Sequence, residues 1–272
     1  MNAVPADRPI ELWPDALEQT AATTDHFRTV CVVRETSSTQ DVATERDLPA
    51  GSLVMAGRQV NGRGRLGHSW ADTAMDGVAI TCVVAQQSPD RLAMAAAVAA
   101  ASAARACVST QAASRIAVKW PNDVMAAWVG GTPRKVGGVL IEIRNGRALI
   151  GLGMNVRQTT FAGELADRAA SLHMLGSLVD RLHVLQQLIL RLDAALSQPS
   201  NLLEASYSEL DRTAGLRLRF STPQGLVEGV VIRCDPSRGL LVQTEHGEQF
   251  LHAHTTRVQP QTVESRSTMD RP

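Results

Sequence analysis

Apolar positions along the chain fall into a mixed α/β stretch followed by a short all-β stretch. β-branched and apolar residues dominate 29–35 (TVCVVRE), 52–59 and 77–86, and each run has the length and composition of a strand. Ser38-Thr39-Gln40-Asp41 follows the first run and offers hydroxyls for a helix N-terminus, so a strand-to-helix turn is expected there. An Ala-rich helix is predicted from Pro89 to about 108, with Pro and Asp near its start. Residues 116–120 make a short strand that stops at Pro121-Asn122-Asp123, because proline cannot donate to a ladder. Residues 135–144 and 147–155 flank Asn145-Gly146, a pair that tolerates positive φ at both positions and so favours a two-residue hairpin turn.

Leu, Ile and Val recur at helical spacing over 178–196, and a further helix is predicted over 202–211. After Gly215 the pattern changes to strand-like segments at 216–221, 226–234, 239–244 and 248–252, separated by Gly- and Pro-containing turns. Residues 61–68 are too glycine-rich for regular structure and read as a mobile loop ending at Trp70. The expected organisation is a leader over 1–28, an α+β domain over 29–213, a small β domain over 214–262 and a polar, disordered tail over 263–272.

Composition narrows the function classes. Lys+Arg 27 balances Asp+Glu 27, so no excess of cations is available to displace counterions along duplex nucleic acid. Phe 4, Trp 4 and Tyr 1 are too few aromatics for a single-strand stacking platform. The longest apolar run, 92–101, is short of the roughly 18 residues of a membrane span, and no secretory signal opens the chain, so a cytoplasmic location is expected. Cys31, Cys82, Cys107 and Cys234 are scattered without a CxxC pair and read as reduced thiols.

Four clusters carry candidate chemistry. Gly62-Arg63-Gly64-Arg65-Leu66-Gly67 alternates glycine with arginine: glycine lets backbone approach an anion, and guanidinium forks grip phosphate or carboxylate oxygens. It is equally readable as a solvated basic loop or an RNA-contacting Arg-Gly stretch, and it lacks the Gly-Lys-Ser/Thr ending of a P-loop. Lys119-Trp120-Pro121-Asn122-Asp123 presents polar groups at the carboxyl end of a strand, where α/β sheets bind ligands, although a plain turn explains it too. Lys135 stands before Val136-Gly137-Gly138 at the start of an apolar strand. Gly151-Leu152-Gly153-Met154-Asn155-Val156 lacks the third glycine of a dinucleotide fingerprint; its alternating glycines clear one strand face, for a flat ligand or merely for packing.

Taken in order, Ser38-Thr39-Gln40, Gly62 to Gly67 with Trp70, Lys119 to Asp123, Lys135 to Glu142 and Gly151 to Asn155 resemble the biotin protein ligase family. The resemblance implies a class II synthetase-like mixed sheet with helices packed on one face, and a C-terminal SH3-like β-barrel. It implies a two-step reaction in which biotin and MgATP give biotinyl-5′-adenylate, whose acyl group then passes to a lysine of a biotin carboxyl carrier domain, as in acetyl-CoA carboxylase. Lys135, Arg65 and Asp123 are the implied catalytic residues. Ser38, Thr39, Gln40, Gln59, Gly62, Arg63, Gly64, Lys135, Gly137, Gly138, Gly151 and Gly153 would bind biotin. Arg63, Arg65, Leu66, Gly67, His68, Trp70, Lys119, Asn122, Lys135 and Asn155 would bind ATP and the adenylate, with Mg²⁺ held mainly through ATP phosphates.

Two positions depart from the family pattern: Gln40 stands where asparagine is common and His68 where a second basic arginine is common. Some members carry an N-terminal helix-turn-helix repressor domain. About 28 residues before the first strand are too few for one, so a monofunctional ligase that binds neither DNA nor membrane is expected, as a monomer or weak dimer. Lipoate protein ligase, of the same fold, and an RNA-binding module using the Arg-Gly loop are the alternatives.

Overall fold

The computed structural model describes residues 6–64, 69–70, 75–127, 131–235, 238–253 and 255–259. The expected disordered tail and positions 65–68 of the Arg-Gly loop lie outside the described residues. The chain divides into two units, 1–212 and 213–272. In the first, the elements run α1 (Trp13–Ala22), β1 (Thr29–Thr36), α2 (Thr39–Glu45), β2 (Ser52–Gln59), β3 (Gly62–Arg63), β4 (Ser69–Trp70), β5 (Gly77–Ala85), α3 (Pro89–Ala106), α4 (Thr110–Ala113), β6 (Ile116–Lys119), β7 (Asp123–Ala126), β8 (Arg134–Arg144), β9 (Arg147–Asn155), α5 (Arg181–Ser197) and α6 (Ser200–Leu210).

Seven strands form one mixed sheet in the order β1-β2-β5-β9-β8-β7-β6. Only β1 and β2 pair in parallel, across the α2 crossover; the other pairings are antiparallel. The β8–β9 hairpin turns at Asn145 (φ 49°) and Gly146 (φ 71°), the positive dihedrals for which Asn-Gly is suited. Helix α2 starts where the hydroxyls do: Ser38 is its N-cap and accepts from the Gln40 amide. Helix α5 begins at Arg181, later than the apolar spacing suggests, because the Asp180 carboxylate caps it by accepting from the His183 amide at 2.8 Å.

Part of the segment read as a leader over 1–28 is helix α1. Trp13, Leu17 and Ala21 recur every fourth residue, which puts them on one helix face, and all three are buried. The Arg181 guanidinium lies 4.9 Å from the Trp13 ring centroid and pairs with Asp7 at 2.6 Å, tying this segment to α5. Further short strands went unread in the sequence. β7 returns antiparallel to β6 directly after Pro121, and Gly62–Arg63 pairs with Ser69–Trp70, so the ends of the Arg-Gly segment are a β-ladder.

The faces of the sheet differ. The long helices α3 and α5 pack together, and α3 also packs against β6, β7, β8 and β9 while α5 packs against β5. Short α2 lies on the face that carries Val54, Val83 and Leu149, where Val42 and Ala43 complete a small core. Thr81, Gly151 and Gly153 share that face by strand alternation. Because α2 is only seven residues long, the face beyond it toward β8 stays open.

The second unit consists of β10 (Arg217–Thr222), β11 (Gly225–Asp235), β12 (Gly239–Thr244), β13 (Gly247–His252) and β14 (Arg257–Val258). They form an antiparallel sheet in the order β13-β12-β11-β10-β14, the small β domain anticipated from the turn spacing. Leu218, Phe220, Val231, Leu240, Val242 and Leu251 are its buried residues.

Candidate functional site

The open face holds a solvent-open cavity. Ser38, Thr39, Gln40, Gln59, Arg63, Gly64, Trp70, Asn122, Lys135, Gly138, Gly151 and Gly153 line it, so residues from five separated sequence clusters meet at one place. Ala79, Ile80, Val139, Leu140 and Leu152 complete the wall and were not singled out in the sequence, because apolar residues in a strand carry no mark of a ligand site.

One part of the wall is uncharged and hydrogen bonding. The Gln59 side-chain oxygen accepts from the Thr39 amide at 2.9 Å and from the Thr39 hydroxyl at 3.2 Å. Gln40 donates through Nε2 to the Leu149 carbonyl at 3.3 Å, and its amide covers Gly151, where an added Cβ would meet Gln40 Nε2 at 3.1 Å. The longer glutamine is therefore spent spanning from α2 to the sheet.

Another part is ionic, and a β-bulge shapes it. Between β7 and β8 the register runs Val124 opposite Gly137, then Met125 opposite Lys135, so Val136 is an extra residue on β8. The bulge brings Lys135 and Gly138, three apart in sequence, onto the cavity side. An added Cβ at Gly138 would meet Lys135 Nζ at 3.2 Å, so this glycine makes room for the ammonium. Lys135 pairs with Asp123 and stands 5.8 Å from the centroid of the Trp70 ring. Trp70 in turn lies flat on Gly153, where a Cβ would come within 2.7 Å of the ring.

Residues 168–170 fix the main chain of Lys135 from the side that β9 has left. Its N–H donates to Arg168 O at 2.8 Å, and its carbonyl accepts from the Ala170 amide at 2.8 Å. Asn155 Nδ2 donates to Ala170 O at 3.0 Å and to Lys135 O at 3.4 Å. Asn155 thus braces the main chain of Lys135 and is not among the residues that line the cavity. Gly137 is likewise set apart: its would-be Cβ meets Gly153 O at 2.8 Å and Met154 Cγ at 3.6 Å.

Lys119 lies opposite Asp123 on the β6–β7 hairpin and does not line the cavity. Burial lowers its pKa, with Asp123 opposing the shift. Asp123 therefore stands between two lysines. Asn122 reaches across through Nδ2 to the Val139 carbonyl. Arg65, Leu66, Gly67 and His68 lie outside the described residues.

Arg63 is not exposed as a bare cation. It pairs with Asp41 at 2.8 Å and with Glu142 at 3.3 Å, and these two carboxylates, missed in the sequence, hold it against the cavity edge. The only signal was a lone acid in each apolar or hydroxyl-rich run. The hydrogen bond from Arg63 holds the Asp41 carboxyl below its usual range. A depressed pKa contributes stability above the ordinary carboxylate range and loses it as pH falls through the folded-state value. Side-chain carboxyl NMR of an acid titration should therefore find Asp41 still ionised where other surface aspartates have protonated, and Arg63→Ala should return it to their range.

Comparison with known proteins gives this geometry a family. The model of the Biotin/lipoate A/B protein ligase family matches residues 30–158. The Bifunctional ligase/repressor BirA of Bacillus subtilis (strain 168) is 30% identical over 235 residues, covering 80% of this chain and 70% of that protein. The Biotin--[acetyl-CoA-carboxylase] ligase of Mycobacterium tuberculosis is 32% identical over 213 residues, covering 73% and 77%. In structure, the biotin protein ligase from Aquifex aeolicus in complex with biotin and ATP superposes with a TM-score of 0.74 at 23% identity, over 86% of this chain and 100% of that one, which speaks for the fold. With ordered motifs, fold and relatives in agreement, the chain belongs to the biotin/lipoate A/B protein ligase family, as a biotin protein ligase.

Proposed function

We propose that the chain joins biotin to ATP as biotinyl-5′-adenylate in this cavity and then passes the biotinyl group to one lysine of a carrier domain of an acyl-CoA carboxylase. The observation that carries the reading is the meeting of an uncharged hydrogen-bonding wall, Thr39 and Gln59, with the bulge-mounted cation Lys135 in a single cavity. A ureido ring needs the first and a carboxylate beside a phosphate needs the second. The relative from M. tuberculosis, named for acetyl-CoA carboxylase, supports the choice of carrier.

In the first step a biotin carboxylate oxygen attacks the α-phosphorus of ATP and the bond to the β-phosphate oxygen breaks, releasing pyrophosphate. Two anions must approach, and Lys135 offsets their repulsion and the charge that grows at phosphorus. Asp123 holds the ammonium in place beforehand and competes for it with the arriving anions. Arg63 and Arg65 bind phosphate and carboxylate oxygens, and the Arg-Gly segment excludes water from an adenylate that would otherwise hydrolyse. In the second step the carrier lysine nitrogen attacks the acyl carbon, the bond to the AMP oxygen breaks, and the proton leaves the nitrogen for solvent.

We read Mg²⁺ as entering with ATP, held mainly through its phosphates; among the described residues no group of three or more His, Cys, Asp or Glu is placed to hold a metal. No helix among the described residues is long and apolar enough to cross a membrane. Although the B. subtilis relative is described as a repressor as well, α1 of this chain is spent on the core through Trp13 and Leu17, and we read these residues as ligase and not as a DNA-binding element.

The test offers the protein ATP and Mg²⁺ with either biotin or lipoate and follows pyrophosphate and acylation of a biotin carboxyl carrier domain. Both products are expected with biotin and neither with lipoate, which has no ureido group for Thr39 and Gln59. Absence of biotin-dependent pyrophosphate would overturn the reading, and equal turnover of lipoate would overturn the assigned specificity.

A further inference from the structure

Thr81 sits in the middle of β5, within GVAITCVVA, and is fully buried. It pairs with Val54 on one side and Gly151 on the other, so its hydroxyl emerges on the cavity side of the sheet, under Thr39. Among the described residues that hydroxyl has one partner, Thr39 Oγ1, at 2.8 Å.

The protons of this cluster can be assigned. The Thr39 amide can only donate, so the atom of Gln59 that faces it is the oxygen, and Gln59 Nε2 lies on the other side, toward Gly62. The same oxygen is 3.2 Å from the Thr39 hydroxyl and can only accept, so the Thr39 proton points to Gln59. Thr39 then has no proton for Thr81, and Thr81 donates to Thr39. In the reverse arrangement the buried Thr81 proton would lack an acceptor among the described residues, which costs more than an idle lone pair.

We propose that Thr81, by donating to Thr39, fixes the hydrogen-bonding polarity of Thr39 in the cavity's uncharged wall: Thr39 presents an acceptor to the ligand, beside the Gln59 donor that the Thr39 amide orients. This rests on the biotin reading above and deepens it, because a ureido group offers the N–H and the carbonyl that such a pair requires. Thr81 is a positioning residue that acts through Thr39 and Gln59.

Thr81→Val keeps the shape and removes the hydroxyl, which frees the Thr39 proton to turn into the cavity. Measured by pyrophosphate release, the variant should raise the KM for biotin about tenfold while the KM for ATP and kcat stay within about twofold, and Thr81→Ser should restore the biotin KM. An unchanged biotin KM, or an equal loss for biotin and ATP, would overturn the proposal. A second measurement needs no substrate: in the ligand-free protein the Gln59 side-chain NH₂ and Thr39 amide NMR signals should move in Thr81→Val and return in Thr81→Ser. If they stay put, the proposal fails whatever the kinetics. If they move while the wild type releases no biotin-dependent pyrophosphate, it is the ligase reading that fails and the positioning role that stands.

Discussion

Lys135→Ala is expected to reduce adenylate formation by at least about 10²–10³-fold, the scale on which removing one preorganised electrostatic donor acts in acyl and phosphoryl chemistry. The fold should survive. The Lys135–Asp123 pair has side chains 36% and 31% exposed, and pairs in such settings contribute about 0–1 kcal/mol. The main chain at this position is held independently by Arg168, Ala170 and Asn155. Single-turnover pyrophosphate release and a thermal melt on the same sample separate the two effects: a lost burst with an unchanged midpoint is the expected pair, and wild-type turnover would remove Lys135 from the chemistry.

Gly62→Ala is the second large effect, for a steric reason. A Cβ at this position would stand 2.1 Å from Gln59 Nε2 and 2.4 Å from the Trp70 carbonyl oxygen. The side chain could turn away, but the carbonyl belongs to the β3–β4 ladder and cannot. Overpacking of this kind costs about 1–3 kcal/mol, which corresponds to a rise of about 5–150-fold in the KM for biotin if it falls on the Gln59 wall. Titration of biotin binding by calorimetry checks it, and affinity within twofold of wild type would show that the ladder gives way at no cost to the cavity.

The features that could be read along the chain are those whose cause is local. The Asn-Gly hairpin between β8 and β9, the Ser38 cap of α2 and the strand run of β5 each follow from the dihedral or capping preference of a few adjacent residues. The clusters Ser-Thr-Gln, Arg-Gly, Lys before Gly-Gly and Gly-x-Gly were visible for the same reason, and the sheet order then brings them together. Long-range pairing was hidden. Nothing near Asp41 or Glu142 announces that both will face Arg63, and Thr81 looks like one more β-branched residue until β2, β5 and β9 stand side by side. Asn155 ends a strand that carries two cavity glycines, yet its amide is taken up by the carbonyls of Ala170 and Lys135. β7 escaped because four residues after a proline are too few to show a period.

The extra residue at Val136 makes the position of Lys135 a matter of counting. With 136 present, the bulge lets the lysine share the open face with Gly138; pulled straight without the bulge, the same residues would alternate and the ammonium would pass to the other face of the sheet. Alanine or isoleucine in place of Val136 leaves that count unchanged, whereas one more codon between 135 and 138, left without a second bulge, would keep every residue of the site in the chain and move the central cation to the wrong side of the wall.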